Sequence, residues 1–351
     1  MSQRVDRLRA TFEAIGAASF FVSNRINVRY LTGFDSSNAF VLVKDDEVFV
    51  LTDGRYVESA RGLQDVEVML VDREFAPGVA DALPRLAEPP VAFEADDLTH
   101  ARYETLESAG LELVSTTGVV QRLRAVKEAG ELEEIRRAAR IADEVYRRLA
   151  GEQLVGRSER EVAWWFEQIL REEGADDLAF DVIVASGPNA ALPHHHTGER
   201  KIGAGETVVV DAGAQVDGYC SDCTRTFATG PLPPELRRAY ATCRAAQESA
   251  LAGVRADAEA RGLDALARSE IEEAGFDVLH GLGHGVGLEV HELPVLRPTA
   301  DGSLDAGNVV TIEPGVYLPG LGGVRIEDLA IVTDSGSEVL TPFTKELLTL
   351  D

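Results

Sequence analysis

Apolar residues recur at intervals of three and four at the start of the chain. Val5, Leu8, Phe12 and Ile15 share one stripe, which predicts an amphipathic helix over residues 2–16. The period then shortens. Apolar runs at 19–22, 39–43 and 48–51 are bounded by turn residues and read as strands, with Lys44-Asp45-Asp46-Glu47 as a hairpin loop. Mixed helix and strand continue to about Gln121, interrupted by Pro89-Pro90. From 127 to 153 the helical period returns, with Leu132, Ile135, Ala139, Ala142 and Tyr146 on one face. Ser158 and Glu161 have capping-box spacing at the head of a second helix that runs to Glu173. After Gly174 strand patterns dominate, apart from helical stretches near 234–253 and 262–274. A boundary at 122–127 separates a smaller α/β domain, residues 1–122, from a larger α+β domain, residues 127–351.

Composition narrows the function classes. The 351 residues are 45% hydrophobic and 27% charged, ordinary values for a globular protein with a full core. Sixty acidic residues against 34 basic ones give a net charge of −26. Such a chain is repelled by nucleic acid and by anionic membrane surfaces. No stretch approaches the roughly 18 apolar residues of a membrane span. The three cysteines, Cys220, Cys223 and Cys243, are too few for a disulfide framework, which predicts a reducing, cytoplasmic setting.

Candidate chemistry concentrates in the second half. Asp211 ends the apolar run TVVVD, and Asp222 follows eleven residues later, so the two are expected to face each other on adjacent strands. A carboxylate after three successive valines is costly to bury alone. His280, His284 and His291 fall within LHGLGHGVGLEVHELP, where Gly281, Gly283 and Gly285 argue against a helix and let backbone approach a site closely. Glu313 in VVTIEPGVYL and Glu327 in GVRIEDLAIV also sit among apolar residues. Four such carboxylates without cations would raise one another's pKa values. Two divalent ions would balance Asp211, Asp222, Glu313 and Glu327, and a water between them would become a nucleophile. Oxygen ligands with one imidazole suit manganese, cobalt, zinc or iron(II).

The ordered motifs TVVVDAGA, SDCTRT, GLGHGVGLEVHE, TIEPGVY and GVRIED resemble the Xaa-Pro peptidase branch of the pita-bread metallopeptidases, which includes prolidase and aminopeptidase P. YLTGF and LTDGRY resemble that branch's N-terminal domain. The resemblance implies a pita-bread catalytic domain over 127–351 and a homodimer acting on proline-containing peptides. It also implies two divalent ions per chain, manganese ahead of cobalt or zinc, held by Asp211, Asp222, His284, Glu313 and Glu327. Glu313 would double as general base, His291 would contact the scissile carbonyl, and His194 would orient substrate from the other side. His280, Thr224, Tyr317 and Arg325 would support ligands or touch substrate.

Within the branch the expectation is an aminopeptidase P, with prolidase as the alternative. A dipeptidase must hold the proline carboxylate, and Val295 rather than a basic residue follows HELP, leaving Arg297 as the nearest cation. A non-peptide C–N hydrolase and a non-catalytic binding protein are disfavoured because all five ligands are present. Several weaker signals take blander readings. His195 and His196 are expected to face solvent, Trp164 and Trp165 to pack in the core, and Cys220-x-x-Cys223 not to form a redox pair. SGPNAALP lacks the glycines of a phosphate loop.

Overall fold

The computed structural model describes residues 3–350. They divide into two compact units, Met1–Arg124 and Ala125–Asp351.

The first unit is built on a six-stranded mixed sheet. Ser19–Val22 pairs antiparallel with Ala39–Lys44 and parallel with Val91–Glu94, so Phe21 lies beside both Leu42 and Phe93. Val48–Thr52 and Glu67–Leu70 extend one edge, and Leu113–Thr116 the other. The inner strands are buried at every position, which is why they read as continuous apolar runs rather than alternating ones. Phe21, Phe40, Leu42, Leu51, Leu83 and Leu106 form the core. The expected first helix is in two pieces, Gln3–Arg9 and Phe12–Ile15. Between them the Thr11 amide and hydroxyl both turn back to the Leu8 carbonyl, which tightens the chain and ends the first piece. Its expected start at Ser2 lies outside the described residues.

The second unit contains two helix pairs, each backed by antiparallel sheet. Ala129–Leu149 and Glu159–Glu172 pack with Val208, Val210, Ala212 and Phe227 of one sheet. Pro234–Ala252 and Ala260–Glu273 pack with Val310, Ile312, Val324 and Val332 of the other half. Ser158 caps Glu159–Glu172 with the reciprocal Glu161 bond that its spacing predicted. The first sheet has the order Cys223–Ala228, Thr207–Ala212, Ile183–Ser186. The second has the order Glu292–Leu296, Gly283–Gly285, Val309–Ile312, Asp328–Val332, Ser337–Val339. No helix among the described residues is long and apolar enough to cross a membrane.

Candidate metal centre

Polar residues break the apolar strands where the two halves of the second unit meet. Asp211 lies on Thr207–Ala212 directly opposite Thr224, and Asp222 immediately precedes the paired strand Cys223–Ala228. A short hairpin, Ala214–Val216 with Tyr219–Cys220, carries the chain between them. Its return depends on Gly213, where a Cβ would sit 1.9 Å from the Ser221 carbonyl oxygen. His284 rides on Gly283–Gly285, between two neighbouring strands. A Cβ on Gly283 would lie 2.1 Å from the Thr311 oxygen, so the glycine permits this close approach. Glu313 directly follows Val309–Ile312, anchored by its amide to the Leu282 carbonyl at 2.9 Å. Glu327 sits between Gly322–Arg325 and Asp328–Val332, and its amide donates to the Thr224 carbonyl at 3.1 Å.

These five side chains converge. Asp211, Asp222 and Glu327 each present an oxygen within 4.8 Å of the other two. His284 Nε2 lies 3.2 Å from Glu313 Oε1 and 3.7 Å from Asp222 Oδ2, which joins the remaining pair to the cluster. Burial, reinforced by the neighbouring carboxylates, pushes Asp222 and Glu327 well above the ordinary carboxyl range. Burial raises Asp211 as well, with Arg325 opposing. Burial would raise Glu313 too, but the hydrogen bond and charge of His284 reverse the direction. Asp211 Oδ1 and Glu327 Oε1 are buried without a hydrogen-bond partner in the protein. Orphaned acceptors of this kind carry a desolvation cost that a bound cation would remove. The donor set therefore fits hard or borderline divalent ions.

Arg325 is the resident cation behind the cluster. It donates from Nη2 to Asp211 Oδ2 at 2.6 Å and from Nε to Thr224 Oγ1 at 3.1 Å. Thr224 in turn donates to Glu327 Oε2 at 2.7 Å, so one guanidinium orients two carboxylates, one of them indirectly. Its Nη1 reaches the Tyr317 hydroxyl at 3.3 Å, and that hydroxyl lies 2.8 Å from His280 Nε2. Thr224, Tyr317 and Arg325 thus support the site from behind, and burial pushes the Tyr317 hydroxyl up to about 12. A cleft of about 980 Å³ opens onto the cluster, and His194, His280, His284 and His291 all line it. His291 stands beside His284 with ring centroids 4.3 Å apart. Arg297 lines the same cleft, as does Val295.

Three expectations change. His195 does not face solvent: its ring is 11% exposed, and Nε2 is 2.9 Å from the fully buried Glu159 carboxylate. Trp165 packs against the core, but Trp164 is 58% exposed on the cleft wall, because adjacent helical residues point about 100° apart. Asp222 lies just outside the strand, so Cys220 and Cys223 belong to different sheets. Burial holds the Cys223 thiol well above its ordinary value. Sequence reasoning also missed Arg225. It is buried against Asp328 at 2.8 Å, and it donates to the Glu327 carbonyl and to the Thr341 and Phe343 carbonyls. An arginine in an apolar strand carries no local sign of its partners, since they lie more than 100 residues away.

Residues 133–334 match metallopeptidase family M24, and residues 4–126 match the creatinase/prolidase N-terminal domain. A Xaa-Pro dipeptidase of Bacillus anthracis superposes with a TM-score of 0.95 at 38% identity, over 99% of each chain. A Xaa-Pro dipeptidase of Pyrococcus furiosus is 33% identical over 99% of this chain and 100% of its own. An X-Pro aminopeptidase of Thermotoga maritima superposes with a TM-score of 0.87 at 32% identity, covering 97% of this chain and 99% of the other. The mixed sheet unit followed by two helix-backed half-sheets around a carboxylate cluster is thus the creatinase/prolidase N-terminal domain joined to the pita-bread fold, and the chain belongs to metallopeptidase family M24, in its Xaa-Pro peptidase branch.

Proposed function

We propose that this protein is a Xaa-Pro dipeptidase that cuts the bond to the proline nitrogen with two divalent ions held by Asp211, Asp222, His284, Glu313 and Glu327. The aminopeptidase expectation rested on Val295 standing where a carboxylate-binding cation was sought. Arg297 in the cleft wall carries the revised order, because a guanidinium there is available to the free carboxylate that only a dipeptide presents after proline. The full-length similarity to two Xaa-Pro dipeptidases supports the same order. One observation favours aminopeptidase action as a second reading: about 980 Å³ is ample for more than a dipeptide.

When bound, the ions supply the charge that lets four carboxylates ionise together and lower the pKa of the attacking water. Glu313 accepts that water's proton, and the proton passes to the proline nitrogen as the C–N bond breaks. Its contact with His284 keeps the carboxyl ionised and ready to accept. His291, held largely neutral by burial and the adjacent His284, donates to the oxygen of the tetrahedral species. His194 orients the substrate from the other wall, and Arg325 fixes Asp211 and, through Thr224, Glu327. Manganese as the resident ion and homodimeric assembly come from the family resemblance, a cytoplasmic setting from the cysteine usage, and together they complete the proposal; metal analysis and light scattering test the first two.

The deciding experiment compares kcat/KM for Ala-Pro and Ala-Pro-Ala with the manganese-loaded protein. A charge-assisted contact is worth about 1.5–3 kcal/mol, or roughly 10–150-fold. A dipeptide preference above tenfold that disappears in Arg297→Ala is expected. Equal or better cleavage of the tripeptide would reinstate the aminopeptidase reading.

A further inference from the structure

The cleft wall that carries His194 is held by an acid that takes no part in the carboxylate cluster. Glu159 is the first residue of the helix Glu159–Glu172, and its side chain is fully buried. Its Oε1 accepts from the Ser186 amide at 2.8 Å, the Ser186 hydroxyl at 2.8 Å and Asn189 Nδ2 at 3.0 Å. Its Oε2 meets Asn189 Nδ2 at 3.1 Å and His195 Nε2 at 2.9 Å. Every one of these partners lies on the segment from the end of the strand Ile183–Ser186 to the triple histidine. The same segment is tied a second time, where Arg325 Nη1 donates to the Pro193 carbonyl at 3.1 Å. His194 therefore sits between two fastened neighbours: the residue before it is held by its carbonyl, the residue after it by its ring.

We propose that Glu159, acting through His195, is a positioning residue that sets where His194 meets the substrate. The proposal rests on the peptidase reading for the role of His194, but not for the anchoring itself. A carboxylate buried only to stabilise a helix N-terminus would need no reach into a loop 27–36 residues away. Burial opposes its ionisation, yet the hydrogen bonds from Ser186, His195 and Asn189 outweigh burial and hold it below the usual range. The charged form is thus the one the loop is built around. Arg200 completes the frame, donating to the Ser186 hydroxyl at 2.7 Å while paired with Glu206 at 2.8 Å. His194 itself is exposed and lines the cleft, so its direction is set by its neighbours rather than by packing of its own.

The manganese-loaded protein should lose at least tenfold in kcat/KM for an Xaa-Pro peptide on His195→Ala, most of it in KM, with metal content unchanged. His195→Gln keeps an N–H within reach of Glu159 and should recover most of that loss. The double variant His194→Ala/His195→Ala should be no worse than His194→Ala alone, because His195 acts through its neighbour. Additive losses, or an unchanged KM in His195→Ala, would overturn the proposal. Hydrogen exchange in Glu159→Gln gives an answer that needs no turnover. Faster exchange confined to residues 186–197 is expected, and unchanged exchange there overturns the anchoring. Failure of the wild-type protein to cut any Xaa-Pro peptide would instead strike the proposed function, with the exchange result still deciding the anchor.

Discussion

Replacing Arg325 with methionine tests the electrostatic frame of the metal centre. The guanidinium is buried, with a side chain 6% exposed, and its partner Asp211 is 12% exposed. Removing one partner of a buried ion pair costs about 3–5 kcal/mol, since the remaining charge keeps its desolvation penalty and loses its counter-charge. Here the stranded acid would also face three other carboxylates, two of which already lie well above the ordinary range through burial and mutual repulsion. The Thr224 hydroxyl and the Pro193 carbonyl would lose a donor in the same step. At about 2–4 °C per kcal/mol for a unit of this size, metal-depleted Arg325→Met should melt roughly 6–20 °C below the wild type. Calorimetry on metal-depleted and manganese-loaded samples measures it. Loading should narrow the gap, because the ions supply the counter-charge that Asp211 lost. A metal-depleted variant within about 2 °C of the wild type would refute the claim that Arg325 neutralises the cluster.

Asp222→Asn removes one charge from the balanced set, so elemental analysis after manganese reconstitution should show at least one ion lost per chain. Glu313→Gln should abolish turnover more severely than substrate binding, and His291→Ala should lower kcat by about 10²–10³; a pure KM effect in His291→Ala would rule out its transition-state role. Gly283→Ala should displace His284, since the new Cβ would meet the Thr311 oxygen at 2.1 Å, and reduced metal content with a lowered melting temperature is the expected result. Burial raises Glu94 in the first unit to about 7, against hydrogen bonds from the Ser23 and Asn24 amides. The folded state then keeps a proton that the unfolded chain releases near 4.5, so stability is highest below that pH and falls as pH rises to about 7, by about 3 kcal/mol. Denaturation curves from pH 4.5 to 8 should show that decline, and Glu94→Gln should flatten it.

The elements that could be seen along the chain were those whose signal is local. Ser158 and Glu161 announce their helix because both partners of the capping box lie within one turn. The buried strands of the first unit are legible as apolar runs because both faces of their sheet are covered. The break at Thr11 was not, since a competing hydroxyl bond to Leu8 leaves the apolar period unchanged. The four converging carboxylates are legible because each is an acid set among apolar residues, a combination that is unfavourable without a cation, whereas only the family resemblance singles out His284 among three neighbouring histidines. Tertiary structure decided what lies behind them. Arg325 reaches Asp211 across 114 residues, Arg225 reaches Glu327 across 102, and Glu159 reaches His195 across 36. The family resemblance gives Arg325 a supporting role, but nothing in the neighbourhood of Arg225 or Glu159 distinguishes a buried tether from a solvated side chain. Sequence pattern alone determines which residues are too costly to bury unpaired, whereas the choice of partner depends on strand register and helix packing, which exist only once distant segments have met.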